Sequence, residues 1–138
     1  MDRNKILIQA VEIVKSFGYK CFFPRYGSSF NEKPIYCYIT DGINIGYMQS
    51  NDWGCGLNFS SVHKPSQKNG TGFGILNDVT LENITKEIIE RTFGNPNWAY
   101  IESYGVGSKN SPIIKYKSWE DFVKNSLTGK ISKDIIEL

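Results

Sequence analysis

Ile35-Tyr36-Cys37-Tyr38-Ile39-Thr40-Asp41-Gly42-Ile43-Asn44-Ile45-Gly46-Tyr47-Met48-Gln49 decides the fold class. Two runs rich in β-branched and aromatic residues flank Asp41-Gly42, a dipeptide that favours the positive φ of a tight hairpin turn. Read as a two-residue turn, it pairs strands 35–40 and 43–49. Tyr36 then faces Tyr47 and Tyr38 faces Ile45 on one side of the sheet. On the other side Ile35 meets Met48 and Cys37 meets Gly46. Both faces are apolar or aromatic. One is expected to pack on helices and the tyrosine face to stand half exposed, as a surface for a partner.

Working outward, residues 2–18 predict an amphipathic helix. Ile6, Leu7, Ala10, Val11, Val14 and Phe17 recur at helical spacing, Asp2 or Asn4 caps it and Gly18 ends it. Tyr19 to Phe23 reads as a short strand ended by Pro24. After the hairpin, Asn51-Asp52-Trp53-Gly54 forms a turn, Cys55 to Ser60 a third strand and residues 61–72 a long polar loop. Gly72 to Leu76 reads as a fourth strand. Asn77-Asp78-Val79-Thr80 leads into a helix over 81–92 with Leu81, Ile84 and Ile88 along one face. Trp98–Ser103 and Ile113–Lys117 read as further strands. Ser118-Trp119-Glu120-Asp121 opens a third helix through Leu127, with 128–138 a short helix or a fraying tail. The expectation is one α+β domain over 1–138: an antiparallel meander packed with about three helices.

Composition bounds the function. The chain has 138 residues, 40% hydrophobic and 14% aromatic, with a net charge of +2. That charge is too small to imply nucleic-acid binding by itself. Cys21, Cys37 and Cys55 are widely spaced without a Cys-x-x-Cys pair, which fits reduced thiols and a cytoplasmic protein. No segment has membrane-spanning length, so no membrane partner is expected. One histidine rules out a multi-histidine metal site, and neither a metal nor an organic cofactor is expected.

Three constellations carry possible chemistry. His63 lies near Ser60, Ser61 and Lys64, so a hydroxyl nucleophile with a histidine base is one reading, although no Gly-x-Ser-x-Gly elbow is present. Gly70-Thr71-Gly72-Phe73-Gly74, near Lys64 and Lys68, has the glycines of an anion-binding loop. It lacks the Gly-Lys-Ser/Thr of a Walker loop. Tyr36, Tyr38, Tyr47 and Trp53, with Arg25 and Lys33 nearby, could stack on single-stranded nucleic acid or anchor a protein. An aromatic stripe on a sheet is more often core. The glutamates of 81–92 are partly neutralised by Lys86 and Arg91 and read as a solvated face.

Phe59-Ser60-Ser61-Val62-His63-Lys64-Pro65, followed by Gly70-Thr71-Gly72-Phe73, resembles a stretch in small uncharacterised proteins carried by phages and plasmids. The resemblance covers some fifteen residues and implies a mobile-element setting, where compact motif-poor proteins often bind host machinery. The first expectation is therefore a non-enzymatic protein-binding protein, an inhibitor of a host nucleic-acid-processing or defence complex. Its surface would be formed by Trp53, His63, Lys64, Lys68 and the hairpin tyrosines Tyr36, Tyr38 and Tyr47. The alternatives are a small hydrolase or nucleotide-handling enzyme using His63 with Ser60 or Ser61 and Lys64, and a nucleic-acid-binding module.

Overall fold

A computed structural model describes residues 2–25, 33–51, 56–63, 75–93 and 116–138. The expected strand at 98–103, residues 113–115 of the expected strand at 113–117, and the glycines at 70–74 lie outside these residues, and 116–117 are not strand. Helix α1 (Arg3–Ser16) precedes strands β1 (Lys20–Arg25), β2 (Tyr36–Thr40), β3 (Ile45–Ser50), β4 (Gly56–His63) and β5 (Ile75–Thr80). A 3-10 turn (Leu81–Asn83) and α2 (Lys86–Thr92) follow. After residue 115 come α3 (Trp119–Asn125), α4 (Leu127–Ile131) and β6 (Asp134–Glu137). The strands form one antiparallel sheet in the order β5-β4-β3-β2-β1-β6. The fold is α+β.

Strand alternation splits the apolar residues into two cores. Cys21, Cys37, Ile39, Met48, Leu57 and Phe59 meet Ile6, Leu7, Ala10, Val11 and Val14 of α1 and Ile89 of α2. The other face carries Tyr38, Ile45 and Tyr47, which meet Tyr116, Trp119 and Phe122. Cys21 and Cys37 are free and fully buried, and burial, with Cys21 alongside, pushes the Cys37 thiol up.

Several local expectations are corrected. The hairpin loop spans four residues, 41–44, because side chains satisfy it. The Asp41 carboxylate accepts from the N–H groups of Ile43 (2.9 Å) and Asn44 (2.7 Å). The Thr40 hydroxyl accepts from Gly42 N–H and donates to the Asn44 carbonyl, both at 2.8 Å. Gly42 takes a φ of +102°, where a Cβ is strained. Tyr38 therefore faces Tyr47, and Cys37 faces Met48. The slip is two residues, so every side chain keeps the expected face.

Pro24 does not end β1. Leu138 N–H donates to the Cys21 carbonyl (2.9 Å), so by antiparallel alternation Pro24's missing donor faces β2. There the ladder stops at Phe22, while pairing with β6 continues to Arg25. The Tyr36 hydroxyl donates to the orphaned Pro24 carbonyl at 3.4 Å. The tail, expected as a short helix or a fraying end, supplies the short helix α4 and then, unexpectedly, β6, whose Asp134 pairs with Arg25.

The sequence 77–80 belongs to β5, and the helix expected over 81–92 is broken. Thr85 caps a fresh start by accepting from Ile88 N–H (3.2 Å), which turns Ile89 rather than Ile88 inward. Tyr19 ties α2 to the sheet by donating to the Glu90 carboxylate at 3.1 Å. Burial first, then that bond and the glutamate charge, push the Tyr19 phenol up to about 12 from its ordinary 10. The neutral phenol is the folded form, so its contribution is intact below pH 10 and lost as pH rises through about 12. Over that window the wild-type denaturation midpoint is expected to fall more steeply than that of Tyr19→Phe. Parallel curves in urea titrations from pH 9 to 12 would contradict this.

Candidate functional site

The expected site residues separate in the fold. Trp53, Lys64 and Lys68 lie outside the described residues. The strand ends that flank Trp53, Asn51 and Gly56, stand at the end of the sheet opposite His63. Seven residue-to-residue steps along β4 carry the chain from Gly56 to His63, roughly 23 Å of extended chain. The backbone of His63 ends β4 opposite Ile45. Ser61 pairs with Gly46, and a ladder irregularity lies between the two pairs. Ser60 is buried opposite Tyr47. Three residues along a strand place the backbones of Ser60 and His63 roughly 10 Å apart.

The tyrosine face is a correction. Tyr38 is 3% exposed and Tyr47 9%, because α3 and α4 close over them. Tyr38 packs against Phe122 with ring centroids 5.3 Å apart, and its hydroxyl shares a 3.2 Å hydrogen bond with Thr128. Tyr36 is half-buried and stacks on Tyr47 at 5.6 Å. Tyr38 and Tyr47 are core rings and are not available to stack on bases. The signal for the cover was present in Trp119, Phe122 and Val123, an apolar stripe at i, i+3, i+4 that needs a face to bury it.

What the fold does assemble lies at the hairpin end. Lys20 opens β1 opposite Thr40, where β2 ends. Trp119 N–H donates to the Gly42 carbonyl at 3.0 Å, docking the start of α3 on the loop. Ser118 caps α3 by accepting from Asp121 N–H at 3.1 Å. Between these elements is a cleft of about 540 Å³, lined among others by Lys20, Phe22, Asp41, Trp119 and Glu120. Phe22 stacks on Trp119 at 4.7 Å and makes the apolar wall. Beside it the loop presents Ile43, 55% exposed.

The electrostatics suit recognition better than proton transfer. Burial alone would raise the Asp41 pKa. The N–H groups of Asn44 and Ile43 and the Asn44 amide outweigh it and hold the carboxyl below its usual range. A carboxylate committed to its own loop is a poor general base at neutral pH. Among the described residues no group of three His, Cys, Asp or Glu side chains is placed to hold a metal ion. Sequence reasoning missed the cleft because Lys20, Asp41 and Glu120 are far apart along the chain, and because Ile43 was counted as a strand residue.

The opposite end is also built. Asp78 has a φ of +58° and sits beside Gly56, where a Cβ would stand 2.7 Å from the Asn51 amide nitrogen. Asn51 donates to the Asp78 carboxylate (3.0 Å), and the Asn58 side chain accepts from Asp78 N–H (3.1 Å). These bonds tie Asn51, just past the end of β3, and Asn58 of β4 to Asp78 within β5.

Compared with known proteins, the chain matches no family model, no curated protein and no solved structure. Among the described residues no helix is long and apolar enough to cross a membrane.

Proposed function

We propose that this chain is a non-enzymatic binding protein whose recognition surface for another protein is the hairpin end of the sheet. The observation that carries the reading is Ile43. A large apolar side chain stands 55% exposed on a loop held rigid by five hydrogen bonds, beside an aromatic-walled cleft. Preorganised apolar anchors next to a pocket are what hot spots are made of, since little ordering entropy remains to be lost on binding. Lys20, Asp41 and Glu120 supply a mixed-charge rim that selects the partner rather than driving affinity.

In keeping with the resemblance of residues 59–73 to phage and plasmid proteins, we take the partner to be a cytoplasmic host complex that processes nucleic acid, and the action to be inhibition. The backbone of His63 ends β4 opposite Ile45, the residue that follows the hairpin loop. The version of the enzymatic alternative that uses Ser60 loses support from the Ser60–His63 backbone separation along β4 and from the burial of Ser60. The nucleic-acid alternative loses support from the burial of Tyr38 and Tyr47.

The test is affinity capture from host lysate after nuclease treatment, with wild type and Ile43→Asp compared by quantitative mass spectrometry. A stoichiometric protein captured by wild type and lost with Ile43→Asp is the expected result. Equal capture by both, or capture abolished by nuclease, would contradict it.

A further inference from the structure

We propose that the cleft at the hairpin end of the sheet takes an arginine side chain of the protein partner, its stem against the aromatic wall and its guanidinium on the carboxylates of Asp41 and Glu120. The inference rests on the reading of that end as the recognition surface and names the chemistry that fills it. The two carboxylates reach the cleft from different elements, Asp41 from the β2–β3 loop and Glu120 from the first turn of α3. Lys20 is the cation of the lining. Among the described residues no ion pair joins it to either carboxylate. One lysine against two carboxylates leaves the lining negative, which favours a cationic occupant.

Both carboxylates have capacity left. Burial opposes ionisation of Asp41, but the N–H groups of Asn44 and Ile43 outweigh it and keep the carboxylate charged. Its Oδ1 accepts both of these N–H groups, and its Oδ2 accepts the Asn44 amide at 2.8 Å. An ionised carboxylate has about four acceptor positions on its two oxygens, so Oδ2 keeps a second one. Glu120 is exposed, and among the described residues no hydrogen bond or ion pair holds its side chain. The start of α3 offers an anion little in return. Trp119 N–H is taken by the Gly42 carbonyl and Asp121 N–H by the Ser118 hydroxyl.

The shape of the lining selects arginine among cations. Half-buried Phe22, stacked on Trp119, gives an apolar surface for a methylene stem. At about 540 Å³ the cleft has room for one long side chain. A guanidinium carries five donors in a plane and addresses two carboxylates on separate elements at once. An ammonium is a compact point charge and holds its water more strongly. Arginine is also one of the residues enriched among interface anchors, and the exposed Ile43 beside the cleft gives its neighbours on the partner an apolar contact.

The probe that tests the proposal is the peptide acetyl-Gly-Arg-Gly-amide, titrated into the isotope-labelled full chain and followed by NMR beside its lysine, citrulline and glutamate counterparts. The arginine peptide is expected to give saturable shifts at Gly18, Gly42, Glu120 and the Trp119 indole. The lysine peptide should bind more weakly, and the citrulline and glutamate peptides should give no shifts. Glu120→Gln should weaken arginine-peptide binding about threefold and Lys20→Ala should tighten it about threefold, the scale of one exposed charge pair. Both side chains are exposed, so neither change threatens the fold. An arginine peptide without saturable shifts, a lysine or citrulline peptide that binds as tightly, or weaker binding by Lys20→Ala would each overturn the proposal. The titration needs no partner and is separate from the capture experiment. Capture that depends on Ile43 without arginine-peptide binding refutes this inference alone. Arginine-peptide binding with capture indifferent to Ile43 refutes the surface reading alone.

Discussion

Phe122→Ala is expected to lower the free energy of unfolding by about 4 kcal/mol, the middle of the range for a buried aromatic. Phe122 is fully buried and touches three rings, Tyr38 at 5.3 Å, Tyr116 at 5.2 Å and Trp119 at 5.5 Å. Truncation leaves a cavity between α3 and the sheet. Phe122→Leu keeps most of the volume and should cost only about 1 kcal/mol. Urea denaturation followed by fluorescence measures both. A loss below about 1 kcal/mol for Phe122→Ala would mean that α3 does not cover the tyrosine face, since a wet site pays little for truncation.

Gly129→Ala separates two opposed expectations. Alanine is the better helix former by about 1 kcal/mol, so helix propensity alone predicts stabilisation. Gly129, however, lies in α4 where a Cβ would stand closer to the Val123 carbonyl oxygen than any van der Waals contact allows. The obstacle is backbone, so no side-chain rotation relieves it. Ser126 fixes the approach by ending α3 and capping α4, its hydroxyl accepting from Gly129 N–H at 3.0 Å. The expected net effect is destabilisation by about 3 kcal/mol, the upper end for overpacking. It should disturb the Tyr38–Thr128 hydrogen bond next door, visible as a change in near-ultraviolet circular dichroism. A thermal midpoint unchanged or raised by Gly129→Ala would show that α3 and α4 are not packed as described.

The parts of the fold that were legible in the sequence rest on short-range physics. The apolar spacing of α1, the Asp2 cap, the Ser118 cap of α3 and the alternation of β2 and β3 all reappear in place, and side-chain faces survived the two-residue slip. What was not legible depends on tertiary partners. Nothing near Ile135 in sequence reports that β1 offers a free edge, so 134–137 read as a tail. Thr85 reads as an ordinary surface residue until its hydroxyl restarts the helix. Asp41-Gly42 signals a turn but not its length, because the four-residue loop is set by the carboxylate and by Thr40 together.

The site was harder to read than the fold for the same reason. Proximity in sequence grouped Trp53 with the hairpin tyrosines and His63. Eight residues of β4 instead place the flanks of Trp53 and the backbone of His63 at opposite ends of the sheet. The hairpin tyrosines looked like a partner surface because each strand carries apolar residues on both faces. Two-sided apolar strands need helices on both sides, and α3 with α4 provide the second layer.

The account stands most directly on where a partner docks. Hydrogen exchange should be measured on the chain alone and in the complex recovered by affinity capture. Added protection is expected in peptides covering 18–22, 41–45 and 117–120, around Ile43 and the cleft, with little change at 50–58 and 76–80. Protection confined to the 50–58 and 76–80 end, with 41–45 unchanged, would contradict it.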